Sequence, residues 1–213
     1  MPSLALKCLA SAMTCLMLAA CAGGSPSTRL VEDHIETSTR SNFTFCSNYG
    51  CSVRWTMGLS TLEWDRVRAY FAPPAADAAA ERAQIAQAIG EIERITGRKA
   101  GTDIDKPGAA IIAMHSLKGQ HDCIDEAHNT TVYLTFMERD GLLKWHSVGE
   151  PAHRGMIIDR WFHNTATVIE KNTGAAYVID SWFGANGEPS DVTTLENWMD
   201  GWEPEKFKTR ADR

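Results

Sequence analysis

Ile85, Ile89, Ile92 and Ile95 recur three and four residues apart, the spacing that stacks side chains on one face of a helix. The pattern predicts a helix that begins near Asp77, packs its isoleucine face on a core and is terminated by Gly97. Ahead of it, Ser60-Thr61-Leu62-Glu63 has the form of a capping box. Trp64, Val67 and Phe71 follow at helical spacing, and Pro73-Pro74 ends that segment. A third helix is predicted from Cys123 to Arg139, where Ile124, Ala127, Thr131 and Leu134 share a face and Gly141 stops the run. Residues 97–120, rich in Gly, Asp, Lys and Pro, read as a loop with an apolar interruption at Ala109–Met114. The rest is β-rich: Leu142–Val148 is a candidate strand, and Trp161–Glu170 with Ala175–Phe183 a candidate hairpin around Lys171-Asn172-Thr173-Gly174. Gly187, Pro189, Trp198 and Trp202 belong to a closing segment that packs back. The expected fold class is α+β, with N-terminal helices plus an antiparallel sheet in one domain over residues 29–213.

Residues before 29 stand apart from that domain. Lys7 and the apolar run from Cys8 to Ala20 read as an export signal over residues 1–20. The run is shorter than the roughly 20 residues of a membrane span. Its end, Leu18-Ala19-Ala20-Cys21, resembles the lipobox of bacterial lipoproteins. That resemblance implies a lipidated N-terminal Cys21 and, with Ala22 following it, an anchor in the outer membrane facing the periplasm. The other reading is an ordinary signal cut near Ala20, which leaves no anchor. Residues 21–28 then supply the lipidated cysteine and a flexible Gly/Ser/Pro tether. Without Lys7 the chain keeps 20 Lys and Arg against 27 Asp and Glu, a net charge of −7. It has no basic run, so nucleic acid is excluded as a partner.

Of the six cysteines, Cys8 and Cys15 leave with the signal and Cys21 carries lipid. In an oxidising compartment Cys46 and Cys51 can close a small loop, with Asn48 and Gly50 turning the chain. Cys123 is left over, and such a cysteine is a reactive group, an intermolecular partner or a buried bystander. Asp122 is a good N-cap and Asp125 completes a capping box, which places Cys123 at the first helical position. The helix dipole there favours a thiolate, while Asp122, Asp125 and Glu126 oppose it, so activation requires a cationic partner.

Seven histidines are available: His34, His115, His121, His128, His146, His153 and His163. His163 is singled out because Asp180 lies on the next predicted strand. With a two- or four-residue loop at Lys171–Gly174, facing residue numbers sum to 345, and His163 and Asp180 fall on one face as diagonal neighbours. A three- or five-residue loop, which Gly174 can support through a bulge, puts them on opposite faces.

A cysteine opening a helix, then a histidine on a strand, then an aspartate on the adjacent strand resembles the transglutaminase-like, papain-like cysteine peptidase superfamily. The segments that carry the likeness are Gly119-Gln120-His121-Asp122-Cys123-Ile124-Asp125-Glu126-Ala127, Phe162-His163-Asn164-Thr165-Ala166 and Tyr177-Val178-Ile179-Asp180-Ser181-Trp182-Phe183. The resemblance implies Cys123 as nucleophile, His163 as base and later acid, and Asp180 as orienter of the ring. An oxyanion donor is also needed, and the candidates are the Cys123 backbone N–H and the Gln120 side chain. The polar residues Asp125, Glu126, His128 and Asn129 depart from the buried, apolar helix expected after such a cysteine.

The reading implied is an envelope-anchored cysteine hydrolase or acyltransferase acting on a peptide or isopeptide bond of a cell-envelope substrate. The rival is a non-catalytic envelope binding module that keeps the fold. Zinc on His115, His121, His128 and Cys123 is disfavoured, because separations of two and five residues miss the helical ligand spacing of three or four. No metal and no cofactor are expected. His146 and His153 are expected at a surface or rim, and Trp145, Trp161 and Trp182 either line a groove or sit in the core.

Overall fold

The structure is a computed structural model that describes residues 35, 37–109, 118–155 and 162–211. Cys21, the leader, the tether, His34, His115 and Trp161 lie outside the described residues. Among the described residues, no helix is long and apolar enough to cross a membrane.

The chain opens with an antiparallel hairpin, β1 (Phe43–Ser47) and β2 (Val53–Met57), whose tip is closed by a disulfide between Cys46 and Cys51. Helix α1 (Thr61–Arg68) follows, with Ser60 and Glu63 forming both hydrogen bonds of the capping box. Asp77 caps α2 (Ala78–Ala100), and all four isoleucines of its stripe are buried. Helix α3 (Cys123–Arg139) then leads into a four-stranded antiparallel sheet of β3 (His146–Arg154), β4 (His163–Glu170), β5 (Ala176–Asp180) and β6 (Asp191–Thr194), paired in that order. Short helices α4 (Leu195–Met199) and α5 (Glu205–Ala211) close the chain. The arrangement is α+β. Phe43, Phe45, Trp64, Val67, the isoleucines of α2, the Val132–Leu134 segment, Phe136, Ala166, Val168 and Ile179 share one core, so α3 lies between the first hairpin and the main sheet.

Two boundaries differ from the sequence expectation, each for a local physical reason. Helix α2 does not stop at Gly97; it runs to Ala100, and Gly101 at φ +72° takes the left-handed cap. Gly97 serves close approach instead, since a Cβ there would sit 2.6 Å from Asn186 Oδ1. Strand β3 begins at His146 rather than Leu142 because the buried Glu81 carboxylate accepts the backbone N–H groups of Lys144, Trp145 and His146 at 2.7 to 3.0 Å. Those donors are therefore unavailable to a ladder. The same carboxylate holds His146 Nδ1 at 2.9 Å, so His146 is fully buried and not a rim residue; His153 is exposed.

Gly90 makes a test of close packing. Alanine in a helix is ordinarily favoured over glycine by about 1 kcal/mol. Here a Cβ would lie 2.8 Å from the Glu188 carbonyl oxygen and 2.9 Å from that of Gly187. Gly90→Ala is expected to lower stability by about 1–3 kcal/mol through overpacking. A urea midpoint at or above that of the wild type would show that the 187–188 turn yields freely.

Candidate active site

The capping box expected at Asp122 and Asp125 is formed. Asp122 Oδ1 accepts the N–H groups of Ile124 and Asp125, both at 3.0 Å, and Asp125 Oδ2 accepts from Asp122 N at 3.2 Å. Cys123 is consequently the first residue of α3. Its side chain is 7 % exposed, packed with Trp182 and Phe183 and bordered by Ile124, Trp202 and Phe207. Cys123 is thus a buried free cysteine in a largely aromatic setting.

The β4–β5 register pairs Ala166 with Ile179 and Thr167 with Val178, so facing numbers sum to 345. Gly174, at φ +72°, lets a four-residue loop close the hairpin, with Glu170 N–H bonded to the Ala175 carbonyl at 2.8 Å. His163 and Asp180 therefore project to the same face. His163 Nε2 lies 2.7 Å from Asp180 Oδ2, and both residues are almost wholly buried. The same carboxylate oxygen accepts from Trp198 Nε1 at 2.9 Å. Trp198 is itself fixed by Arg154, whose guanidinium stacks 4.5 Å above the indole and donates to the carbonyls of Trp198 and Trp202. The rings of Trp182, Phe183 and Trp198 surround the imidazole at 4.7, 5.2 and 5.4 Å between centroids.

Burial opposes a charge on His163, but the Asp180 carboxylate outweighs it through charge and hydrogen bond, the Cys123 side chain adds to the effect, and the ring is pushed up to about 9. The second ring nitrogen, Nδ1, is buried and makes no aligned hydrogen bond. The side chain other than Asp180 that bears on its protonation is Cys123. Beside it, Asn164 Nδ2 donates to Cys123 Sγ at 3.5 Å.

Gln120 is placed differently. Its Nε2 donates to the Ile104 carbonyl at 3.0 Å and its Oε1 accepts from Lys106 N at 3.1 Å, so the side-chain amide is spent on bracing the 104–106 loop. A side-chain donor at the sulfur is Asn164, for which the sequence held no signal, because neighbouring strand residues ordinarily point to opposite faces.

The polar residues of α3 that departed from expectation are buried with partners. Tyr49 N and Cys51 N donate to Asp125 at 2.8 and 2.7 Å, and Gly50 N donates to Asp122 at 2.9 Å. Asn48, Tyr49, Gly50 and Cys51 all have positive φ, between 57° and 67°, which turns successive amides to one side as an anion cradle. Burial and the neighbouring Asp122 push the Asp125 carboxyl up to about 7. Asn129 exchanges two hydrogen bonds with the backbone of Cys46, at 2.8 and 2.9 Å. His128 Nε2 lies 3.3 Å from the Thr44 carbonyl, and Glu126 accepts from Ser181 Oγ at 2.7 Å. The acidic groups flanking Cys123 thus face donors from the first hairpin and from the β5 end.

Of the three tryptophans considered for a groove, Trp182 stands at the site and donates from Nε1 to the Ala109 carbonyl at 2.9 Å. Trp145 is bound elsewhere, to the Ala75 carbonyl at 3.2 Å. Comparison with family models, curated proteins and solved structures finds no match.

Proposed function

We propose that this chain is a cysteine hydrolase or acyltransferase of transglutaminase-like, papain-like type, acting on a peptide or isopeptide bond through Cys123, His163 and Asp180. The observation that carries the reading is the buried His163–Asp180 contact of 2.7 Å on a ring that also feels the Cys123 side chain. Asp180 fixes the imidazole and stabilises its charged form, and the imidazolium offers the sulfur a counter-ion. Attack of the sulfur on an amide carbonyl forms a tetrahedral intermediate. The ring then gives its proton to the leaving amine, and a thioester remains for water or a second amine to resolve. The Asn164 amide, already directed at the sulfur, and the Cys123 backbone N–H are the donors for the oxyanion.

The setting proposed is the bacterial envelope, with export by residues 1–20, lipidation at Cys21 and envelope proteins or cell-wall peptides as substrates. The non-catalytic rival draws support from one observation, the 7 % exposure of Cys123.

Thiol alkylation separates the two. With the Cys46–Cys51 disulfide intact, iodoacetamide is expected to modify Cys123 at pH 6 at least 10-fold faster than a free model thiol, and His163→Ala to remove the advantage. Incubation with envelope peptides is expected to leave an acyl adduct on wild-type protein and none on Cys123→Ala, read by intact mass. Labelling no faster than the model thiol, with no adduct, would leave only a binding module.

A further inference from the structure

We infer that Asp105, His121 and Glu126 form a binding site for one divalent transition-metal ion, with zinc the best match to the donor set. The site differs from the histidine and cysteine set rejected on spacing, and it does not depend on the proposed reaction.

The three residues come from separate segments: the loop after α2, the approach to α3 and the first turn of α3. Each offers a ligand atom within 4.8 Å of the other two. All are buried, at 7 %, 3 % and 7 % exposure. His121 Nδ1 lies 2.8 Å from Glu126 Oε1 and 3.7 Å from Asp105 Oδ2. Yet neither ring nitrogen makes an aligned hydrogen bond. A buried imidazole paired only with carboxylates gains by turning its N–H into line with an oxygen. Donors that share a cation instead point their lone pairs at a common centre and approach one another off-axis.

Charge supplies a second, independent argument. Glu93 stands close enough for its carboxyl to be affected by both Glu126 and His121. One of its oxygens accepts from Gly187 N at 3.0 Å, while the other is buried with no aligned hydrogen bond. Two buried carboxyl groups therefore flank a single imidazole, and a third acts on it from farther off. Burial pushes the Glu93 carboxyl well up, and Asp105 and Glu126, where ionised, are costly to bury without a cation. A dication matches the charge of the two carboxylates, Asp105 and Glu126, that would share it with His121. Two carboxylates and one imidazole suit zinc and its neighbours in the first transition row. Calcium is a poor match, since it takes six to eight oxygen ligands.

An ion here would tie the 101–109 loop and the residues just before the N-cap to the turn that presents Cys123, a positioning role. The test uses the Cys123→Ala chain, so that the thiol of the proposed active site cannot hold metal. After chelation and buffer exchange, zinc chloride is titrated by calorimetry and the stoichiometry is read by native mass spectrometry. One zinc per chain at micromolar affinity or tighter is expected, with a higher Tm on binding. Asp105→Asn is nearly isosteric and keeps the oxygen that accepts from His121 N at 2.8 Å. This variant and His121→Ala are each expected to weaken binding at least 10-fold. No zinc uptake, or uptake undiminished in both variants, would overturn the site and leave the cluster as an ion pair balanced by protons.

Discussion

Replacing His163 with alanine is expected to lower amide hydrolysis by about 1,000-fold or more, because in the proposed reaction one ring serves as counter-ion to the sulfur, as acid to the leaving group and as base to the resolving water. Circular dichroism should still report a folded chain. The pH dependence follows from the ring's environment. Its folded-state value is raised from 6.5 to about 9, chiefly by Asp180 acting against burial. The ring therefore carries its proton across the neutral range, and activity is expected to fall as pH rises through about 9. Asp180→Asn removes the charge that holds the proton, and the falling limb should move down toward the ordinary histidine range. Stability carries the same sign. A raised histidine contributes stability that is fully present below pH 6.5 and is lost as pH rises through about 9, a contribution on the order of 3 kcal/mol. The stability gap between wild type and His163→Ala should accordingly narrow between pH 7 and pH 10. Hydrolysis by the variant within 10-fold of the wild type would remove His163 from the reaction.

The parts of this site that were legible in the sequence are those governed by short-range rules. Asp122 and Asp125 place the start of α3 at Cys123, since an N-cap and its reciprocal partner lie within one turn. The sum of 345 was one of two registers that the sequence allowed; the four-residue loop selects it and brings His163 to Asp180. What stayed hidden depends on contacts between distant segments. Trp198 was expected to pack back, but nothing in the local pattern tied its N–H to Asp180. The amides of residues 49–51 carry no side-chain signature at all, so beyond their capping role the carboxylates of Asp122 and Asp125 read only as charge that opposes a thiolate. Helical periodicity misled for a related reason. It marked Ile124, Ala127, Thr131 and Leu134 as the inner face, whereas α3 is buried nearly all round, with polar side chains satisfied from the first hairpin on one side and Ser181 on the other. Asp105 was missed because it lies 16 residues from His121, beyond any helical or strand spacing.

The same distant contacts predict where the fold is most fragile. Asn129 is 2 % exposed, and its side chain accepts from Cys46 N and donates to Cys46 O across 83 residues of sequence. Truncation to alanine leaves a buried backbone N–H and a buried carbonyl without partners, each costing about 1–3 kcal/mol, and opens a polar void. Asn129→Ala is therefore expected to lower stability by about 3–5 kcal/mol, read as a lower urea midpoint with an unchanged slope. Opening the disulfide ought to cost less. Closing so short a loop restrains the unfolded chain by about 2 kcal/mol, and the hydrogen bonds from Asn129 to Cys46 survive reduction. The order of the two effects separates the roles of the two links. The covalent bond closes the turn, whereas Asn129 docks the hairpin on α3, from which residues 49–51 reach the acids beside Cys123. A reduced wild type less stable than oxidised Asn129→Ala would reverse that assignment and place the weight on the disulfide.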